Sequence, residues 1–149
     1  MTLVLCIPLL VQAVLMFVDE IHFHRQRGLP RWERVGHPID TLSVLICYGV
    51  ALTGQPSNAM LTVYAALAIL SCLVITKDEF VHSRRCLPAE QWLHALLFVL
   101  HPIVLGATAL LWFKHKTAIL AGQSTLTLAF GCYQLLYWNI PWTRHPRAQ

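Results

Sequence analysis

All seven acidic residues of this 149-residue chain fall in or beside two short segments. The first reads Asp19-Glu20-Ile21-His22-Phe23-His24, then Leu29-Pro30, then Glu33 and His37, with Asp40 just beyond. The second reads Asp78-Glu79-Phe80-Val81-His82, then Leu87-Pro88, then Glu90 and His94. Each copy is an Asp-Glu pair, a histidine within about one helical turn, a Leu-Pro step and a Glu-x-x-x-His. A chain that gathers its carboxylates and imidazoles so narrowly must fold to bring the two copies somewhere useful, and a metal ion is the first candidate for what they hold.

Between the segments the chain is apolar. Hydrophobic residues make up 56% and charged residues 12%, roughly half the ~25% charged of a soluble domain. Five apolar runs are legible: Leu3–Val18, Pro38–Thr53, Met60–Thr76, Trp92–Phe113 and Ala118–Trp138. The first three are shorter than the ~20 residues a helix needs to cross hydrocarbon. They become long enough if their helices continue into the charged segments, where Asp19–Arg27 and Arg31–His37 contain no internal breaker. Gly28-Leu29-Pro30 stops one helix and starts the next, Leu87-Pro88 does the same, and Gly54-Gln55-Pro56-Ser57 turns the chain at the other end.

The expected fold is therefore an all-α integral membrane protein with five transmembrane helices, one domain over residues 1–149. Two helix–motif–helix repeats (about 3–53 and 60–113) are followed by an extra helix at about 118–138. Repeats in the same orientation imply an axis along the membrane normal. Short loops lead one to expect helix one beside two, and three beside four. Arg25, Arg27, Arg31, Arg34, Lys77, Arg84, Arg85, Arg144 and Arg147 lie on the motif side, against Lys114 and Lys116 opposite. The positive-inside bias then puts the motifs and the C-terminus in the cytoplasm and the N-terminus outside, a bacterial inner membrane being the expected location. The pI near 9.0 and the formal charge of +4 fit anionic headgroups rather than nucleic acid, because the basic residues flank apolar spans. The six arginines nearest the motifs are read as topology determinants and headgroup contacts, and His115 and His145 as surface residues. Cys6, Cys47, Cys72, Cys86 and Cys132 form no C-x-x-C pair, so no disulfide or zinc framework is expected.

On a helix, residues four apart lie about 40° from one another. Glu20 with His24, Glu33 with His37, Glu90 with His94, and Asp78 with His82 each share a face, and Glu79 is three residues from His82. Four helices can thus converge eight candidate ligands: Glu20, His24, Glu33, His37, Glu79, His82, Glu90 and His94. This inventory resembles that of the bundle di-iron carboxylate proteins, in which glutamates and Glu-x-x-His pairs project from four helices. The present chain differs in using i,i+4 pairs and more histidines. Glu20-x3-His24-x12-His37 and Asp78-x3-His82-x11-His94 are also similar in spacing to the carboxylate–His–His set in one subunit of the membrane copper monooxygenases. Two metal ions are expected, iron first, with zinc, manganese or copper as alternatives. Asp40 and His101 follow Glu33 and His94 by seven residues on the same faces, and with Asp19, Asp78 and Tyr137 are read as supporting or pathway residues. Tyr133, Trp138 and Asn139 at the end of the fifth helix can reach the same level.

The reaction these resemblances imply is a metal-dependent oxidation of a lipid-soluble substrate reached from the cytoplasmic leaflet. With no G-x-G-x-x-G fingerprint and no iron–sulfur cysteine set, electrons would come from an external donor. The H-x-x-H-H boxes of membrane desaturases are missing. Two other classes use the same residues: a divalent-metal or proton-coupled transporter, and a haem-binding membrane protein. The orientation is checked by labelling from the outer face, which should reach a Ser57→Cys probe and miss an Arg31→Cys probe; the reverse pattern inverts it.

Overall fold

A helix satisfies its backbone polar groups within its own segment, and nearly all of the described residues are helical. The computed structural model describes residues 2–140; Arg144, His145 and Arg147 lie outside the described residues. Helix α1 spans Thr2–Arg27, α2 Arg31–Thr53, α3 Asn58–Asp78, the short α4 Glu79–Arg85, α5 Pro88–Phe113 and α6 Thr117–Asn139. No strand occurs among the described residues. Four helices there, α1, α2, α3 and α5, are long and apolar enough to cross a membrane. Helix α6 is comparable in length, at 23 residues, but Gln123, Ser124 and Thr125 dilute it.

The helix ends follow from the local sequence. Gly28 takes φ 74°, a conformation that a side chain resists, and its N–H closes the last turn on the His24 carbonyl at 2.8 Å. Pro88 opens α5 where its missing N–H costs nothing. The Ser57 hydroxyl accepts from the Met60 N–H at 3.3 Å and caps α3. Pro38 inside α2 deprives the Arg34 carbonyl of its helical donor; the Asn139 side chain supplies one instead, at 3.2 Å.

Two departures from regular helix occur at corresponding places in the two repeats. Asp19–His24 forms a π turn within α1, closed by the Arg25 N–H on the Glu20 carbonyl. Thr76–Asp78 forms a 3-10 turn at the end of α3. The first underwinds its helix and the second overwinds it.

Neighbours are not those the short loops suggest. Helix α1 lies chiefly against α5, and α3 chiefly against α2. The first helix of each repeat thus packs on the second helix of the other. The physical reason lies at the motif end, where the buried groups of each copy find their partners in the opposite copy, as described below. Helices α2 and α5 also touch each other, and α6 lies along α2. Away from the motifs, Leu9, Cys47, Tyr64, Leu105, Leu111, Trp112 and Leu120 make the apolar core. There the Tyr64 hydroxyl donates to the Leu105 carbonyl at 2.7 Å, and the Trp112 indole to the Gly54 carbonyl at 2.8 Å.

The α2–α6 contact is close. A side-chain carbon at Gly131 would come within 2.8 Å of the Thr41 methyl, whereas one at Gly122 on the same helix would meet open space. Beside it, the Thr41 hydroxyl donates to Gln134 Oε1 at 2.8 Å. Gly131→Leu should therefore destabilise the fold by about 1–3 kcal/mol through overpacking. Gly122→Leu should leave the thermal midpoint in detergent unchanged, and equal midpoints for the two variants would contradict this packing.

Candidate metal centre

Burial of carboxylates without solvent forces each to find a cation or a donor. Five of the acids, Asp19, Glu20, Glu33, Asp78 and Glu90, are buried, Asp40 is half-buried and only Glu79 is exposed. Four imidazoles from the two repeats stand among them. The ring centroids of His24 and His37 are 4.8 Å apart, of His37 and His82 6.3 Å, of His82 and His94 4.0 Å, and of His94 and His24 6.0 Å.

The pairings cross between repeats, and they do so symmetrically. His94 of the second copy meets Asp19 of the first at 3.0 Å, and His37 of the first approaches Asp78 of the second at 3.9 Å. Glu33 approaches His82, and Glu90 approaches His24, each at 3.8 Å. His24 also lies 3.2 Å from Asp19. Each Asp therefore faces the other copy's second histidine, and each later Glu the other copy's first.

Of the eight candidate ligands, His24, Glu33, His37, His82, Glu90 and His94 come together; Glu20 and Glu79 stand apart from that group. Glu79 points outward, and Asp78 is the acid that turns in. Glu20 sits behind His24, 3.3 Å from Nδ1, and accepts from the Tyr133 hydroxyl at 3.0 Å and the Trp138 indole at 2.8 Å. Such a carboxylate fixes the ring's orientation and strengthens its other nitrogen as a ligand. Asp19, expected only as a supporting residue, takes the inner position. The π turn explains this, because its i→i+5 bonding aligns Asp19 with His24, five residues on.

The remaining expected residues are placed as follows. Asp40 binds Lys77 Nζ through both oxygens, at 2.6 and 2.7 Å, and Lys77 also reaches Asp78 at 3.2 Å. Gly36 makes room for this, since a side-chain carbon there would lie 3.1 Å from Asp78 Oδ1. Tyr137 meets Arg25: its hydroxyl accepts from Nε at 3.2 Å, with the guanidinium 4.9 Å above its ring.

Two residues escaped the reading of the sequence. Arg27 is no headgroup contact: its guanidinium bridges the symmetry-related glutamates, donating to Glu33 Oε2 at 2.7 Å and to Glu90 Oε1 at 2.9 and 3.2 Å. Cys86 joins His82 and His94 in a group whose ligand atoms lie within 4.8 Å of one another. Burial pushes its thiol up to about 12, so it would serve a metal only by losing that proton on binding.

Two further groups have that spacing, Asp19–His24–Glu90–His94 and His24–Glu33–His37. In and beside the three groups several buried atoms have no hydrogen-bond partner: His24 Nε2, both nitrogens of His82, His94 Nδ1 and Asp78 Oδ1. Burial, with His94 and His24 close by, holds the His82 imidazole down at about 3, neutral and able to offer a lone pair. Bare imidazole nitrogens beside carboxylate oxygens are a donor set that fits a divalent cation of intermediate hardness.

A cavity of about 240 Å³ adjoins the cluster and runs away from it between α1, α2, α5 and α6. Its walls are mostly apolar, including Met16, Val44, Leu97 and Phe98. Phe17 on α1 and Leu126 on α6 line it and are 61% and 54% exposed, so it opens on the flank of the bundle between those helices.

No family model matches the chain, and no curated protein or solved structure matches it either.

The Arg27 bridge yields a direct test. Arg27→Met in chelator-treated protein leaves two buried carboxylates facing each other, which should cost roughly 3–5 kcal/mol. Adding Glu33→Gln and Glu90→Gln should restore most of the loss, while Arg25→Met, at an exposed position, should cost little. Chemical denaturation of the four proteins in one detergent measures this, and an innocuous Arg27→Met would remove the bridge from the account.

Proposed function

We propose that the chain is an integral membrane protein holding two divalent metal ions in the crossed Asp–Glu–His cluster, and that it oxidises a lipid-soluble substrate there. The observation that carries this reading is the set of bare imidazole nitrogens in a cluster with surplus negative charge. Among the described residues, Asp19, Glu20, Glu33, Asp40, Asp78 and Glu90 face only Arg27 and Lys77 as buried or half-buried lysine or arginine partners. Six carboxylates against two fixed cations leave more acids than cations, an excess that protons on the acids and imidazoles would balance in part and divalent ions would balance fully. An excess of buried acids is not stable in a low-dielectric interior without such compensation.

Asp19, His24, His94 and Glu90 would hold one ion, and His37, His82, Asp78 and Glu33 the other, each set drawing on both repeats. Mixed carboxylate and imidazole ligation suits iron, with manganese, zinc or copper as alternatives. A bound iron pair would supply oxygen-dependent oxidation, driven by electrons from an external donor. The chain's own residues do the rest: Glu20, held by Tyr133 and Trp138, orients His24; Arg27 keeps Glu33 and Glu90 at one level; and the cavity walls exclude water from the approach.

Outward-facing Leu10, Val14, Phe17, Leu70, Leu73, Val99 and Ile103 suit contact with lipid, and the basic residues gathered at the motif end favour a cytoplasmic side for it. The lateral opening between α1 and α6 would then face the acyl chains. Transport of a cation is less well supported, because a path beyond the cluster meets Lys77 clamped on Asp40. Haem is disfavoured because the four imidazole rings pack on one another, leaving no slot for a macrocycle between them.

Metal analysis of the purified protein tests the reading. About two equivalents of tightly held metal per chain are expected. Asp19→Asn and His94→Ala should each deplete the whole centre by well over half, and Glu79→Gln should leave it intact. Weak, exchangeable metal would favour transport. Loss confined to half the ions in either depleted variant would replace one shared centre by two separate ones.

A further inference from the structure

The far end of the cavity is not apolar. His101 on α5 lines it and is 4% exposed, and its Nε2 lies 2.9 Å from the Ser71 hydroxyl. Ser71 Oγ is 2.7 Å from Ser43 Oγ, and the Ser43 hydroxyl donates to the Asp40 carbonyl at 2.7 Å. Counting hydrogens fixes the direction of this chain. Ser43 has one hydrogen and gives it to the carbonyl, so Ser71 must donate to Ser43. Ser71 then has none left for His101, and the histidine must donate through Nε2–H. A buried imidazole with no carboxylate beside it carries a single N–H. Its Nδ1, with no protein partner among the described residues, is left as a bare acceptor on the cavity wall.

Gln12 on α1 stands at the same depth. It precedes Asp19 by seven residues, as His101 follows His94 by seven, and Asp19 is paired with His94 at 3.0 Å on these packed helices. Both side chains are therefore ~10 Å beyond the cluster at ~1.5 Å per residue. Gln12 lines the cavity, and its Oε1 is buried without a partner. A buried oxygen without a partner on one helix and a free imidazole nitrogen on another, at one level of a mostly apolar cavity that Tyr48, Gln123 and Thr127 also line, call for an occupant.

We infer that Gln12 and His101 form a recognition point for the hydroxyl group of a neutral, lipophilic alcohol or phenol. Such a hydroxyl donates to His101 Nδ1 and, with the Gln12 amide rotated about its last bond, accepts from Nε2. Ether, ketone and ester oxygens only accept, and cannot satisfy His101. The substrate would thus span the cavity, with its hydroxyl at this point and the carbon to be oxidised ~10 Å away at the cluster. This rests on the proposed function for the chemistry at the cluster end, but the binding step stands without it.

The probes are 1-octanol and heptyl methyl ether, equal in heavy atoms, added to the full chain in detergent micelles at matched micellar concentration. The protein carries ¹⁵N-histidine and is used both chelator-treated and metal-loaded. Saturable binding of 1-octanol is expected, about tenfold tighter than the ether, the worth of one hydrogen bond. The His101 Nδ1 resonance should move upfield with the alcohol alone. His101→Phe and Gln12→Leu should each shrink the preference, His101→Phe towards one, and the wild-type resonance keeps the test valid should either variant misfold. Equal affinity for the two probes, a preference surviving both substitutions, or no saturable binding because water holds the point, would overturn the inference. Metal content is read from the same samples. A preference for the alcohol in a protein that binds no metal would support the recognition point and sink the metal reading, and metal without preference would do the opposite.

Discussion

Everything at the motif end answers to one constraint, the cost of negative charge out of water. Six carboxylates could each be solvated in an extended chain; brought together they must be shared out among a few donors. Arg27 takes two of them, Lys77 takes two, and Tyr133 and Trp138 hold Glu20. What is left over, Asp19 and the second oxygen of Asp78 with four imidazoles between them, is the part of the cluster that protein groups do not complete. The helix irregularities, the glycine at position 36 and the anchoring of α6 all lie around that remainder and serve to hold it.

The crossing of the two repeats gives the cluster an approximate two-fold character, but the symmetry stops where the chemistry differs. Arg27 corresponds to Arg85 in the register of the Leu-Pro steps, yet one is clamped between glutamates and the other is exposed. Asp40 corresponds to Leu97, and His101 to Val44, when the copies are aligned on Glu-x-x-x-His. The deep positions therefore differ in kind between the halves. A symmetric pair of acid–histidine sets is coupled to an asymmetric cavity, which is what a site needs if it is to approach an asymmetric molecule from one side.

Much of this was legible in the residues. The apolar runs and the Gly, Pro and Ser punctuation located the helices, because backbone satisfaction and breaker chemistry act locally. The duplicated Glu-x-x-x-His located four residues of the cluster, because α2 and α5 are regular there. The reading lost its footing where the helices are irregular. A period of 3.6 made Glu20 the partner of His24 and left Asp19 behind it, whereas the π turn reverses the two. The clue was present: Asp19 precedes His24 by five residues but Asp78 precedes His82 by four, and a π turn is a helix with one residue too many. Helix neighbours were misjudged for a different reason. A short loop limits distance, not direction, and the cross-repeat pairings outweighed it. Arg27 could not be told from the other five arginines by sequence, since its role depends on which two glutamates end up facing each other.

The crossing also bears on how the chain is assembled. Helix α1 leaves the ribosome first, yet its main neighbour, α5, begins sixty-one residues after α1 ends, at Pro88. Over that interval Asp19 and Glu20 lack the residues that will cover them, His94, Tyr133 and Trp138. The order of synthesis thus requires the acids of the first copy to wait in contact with water, which their place at the end of α1 permits and a place at its middle would not. Only when α5 and then α6 arrive can the first copy be buried, so closure of the cluster is a late event that reports on completion of the whole bundle.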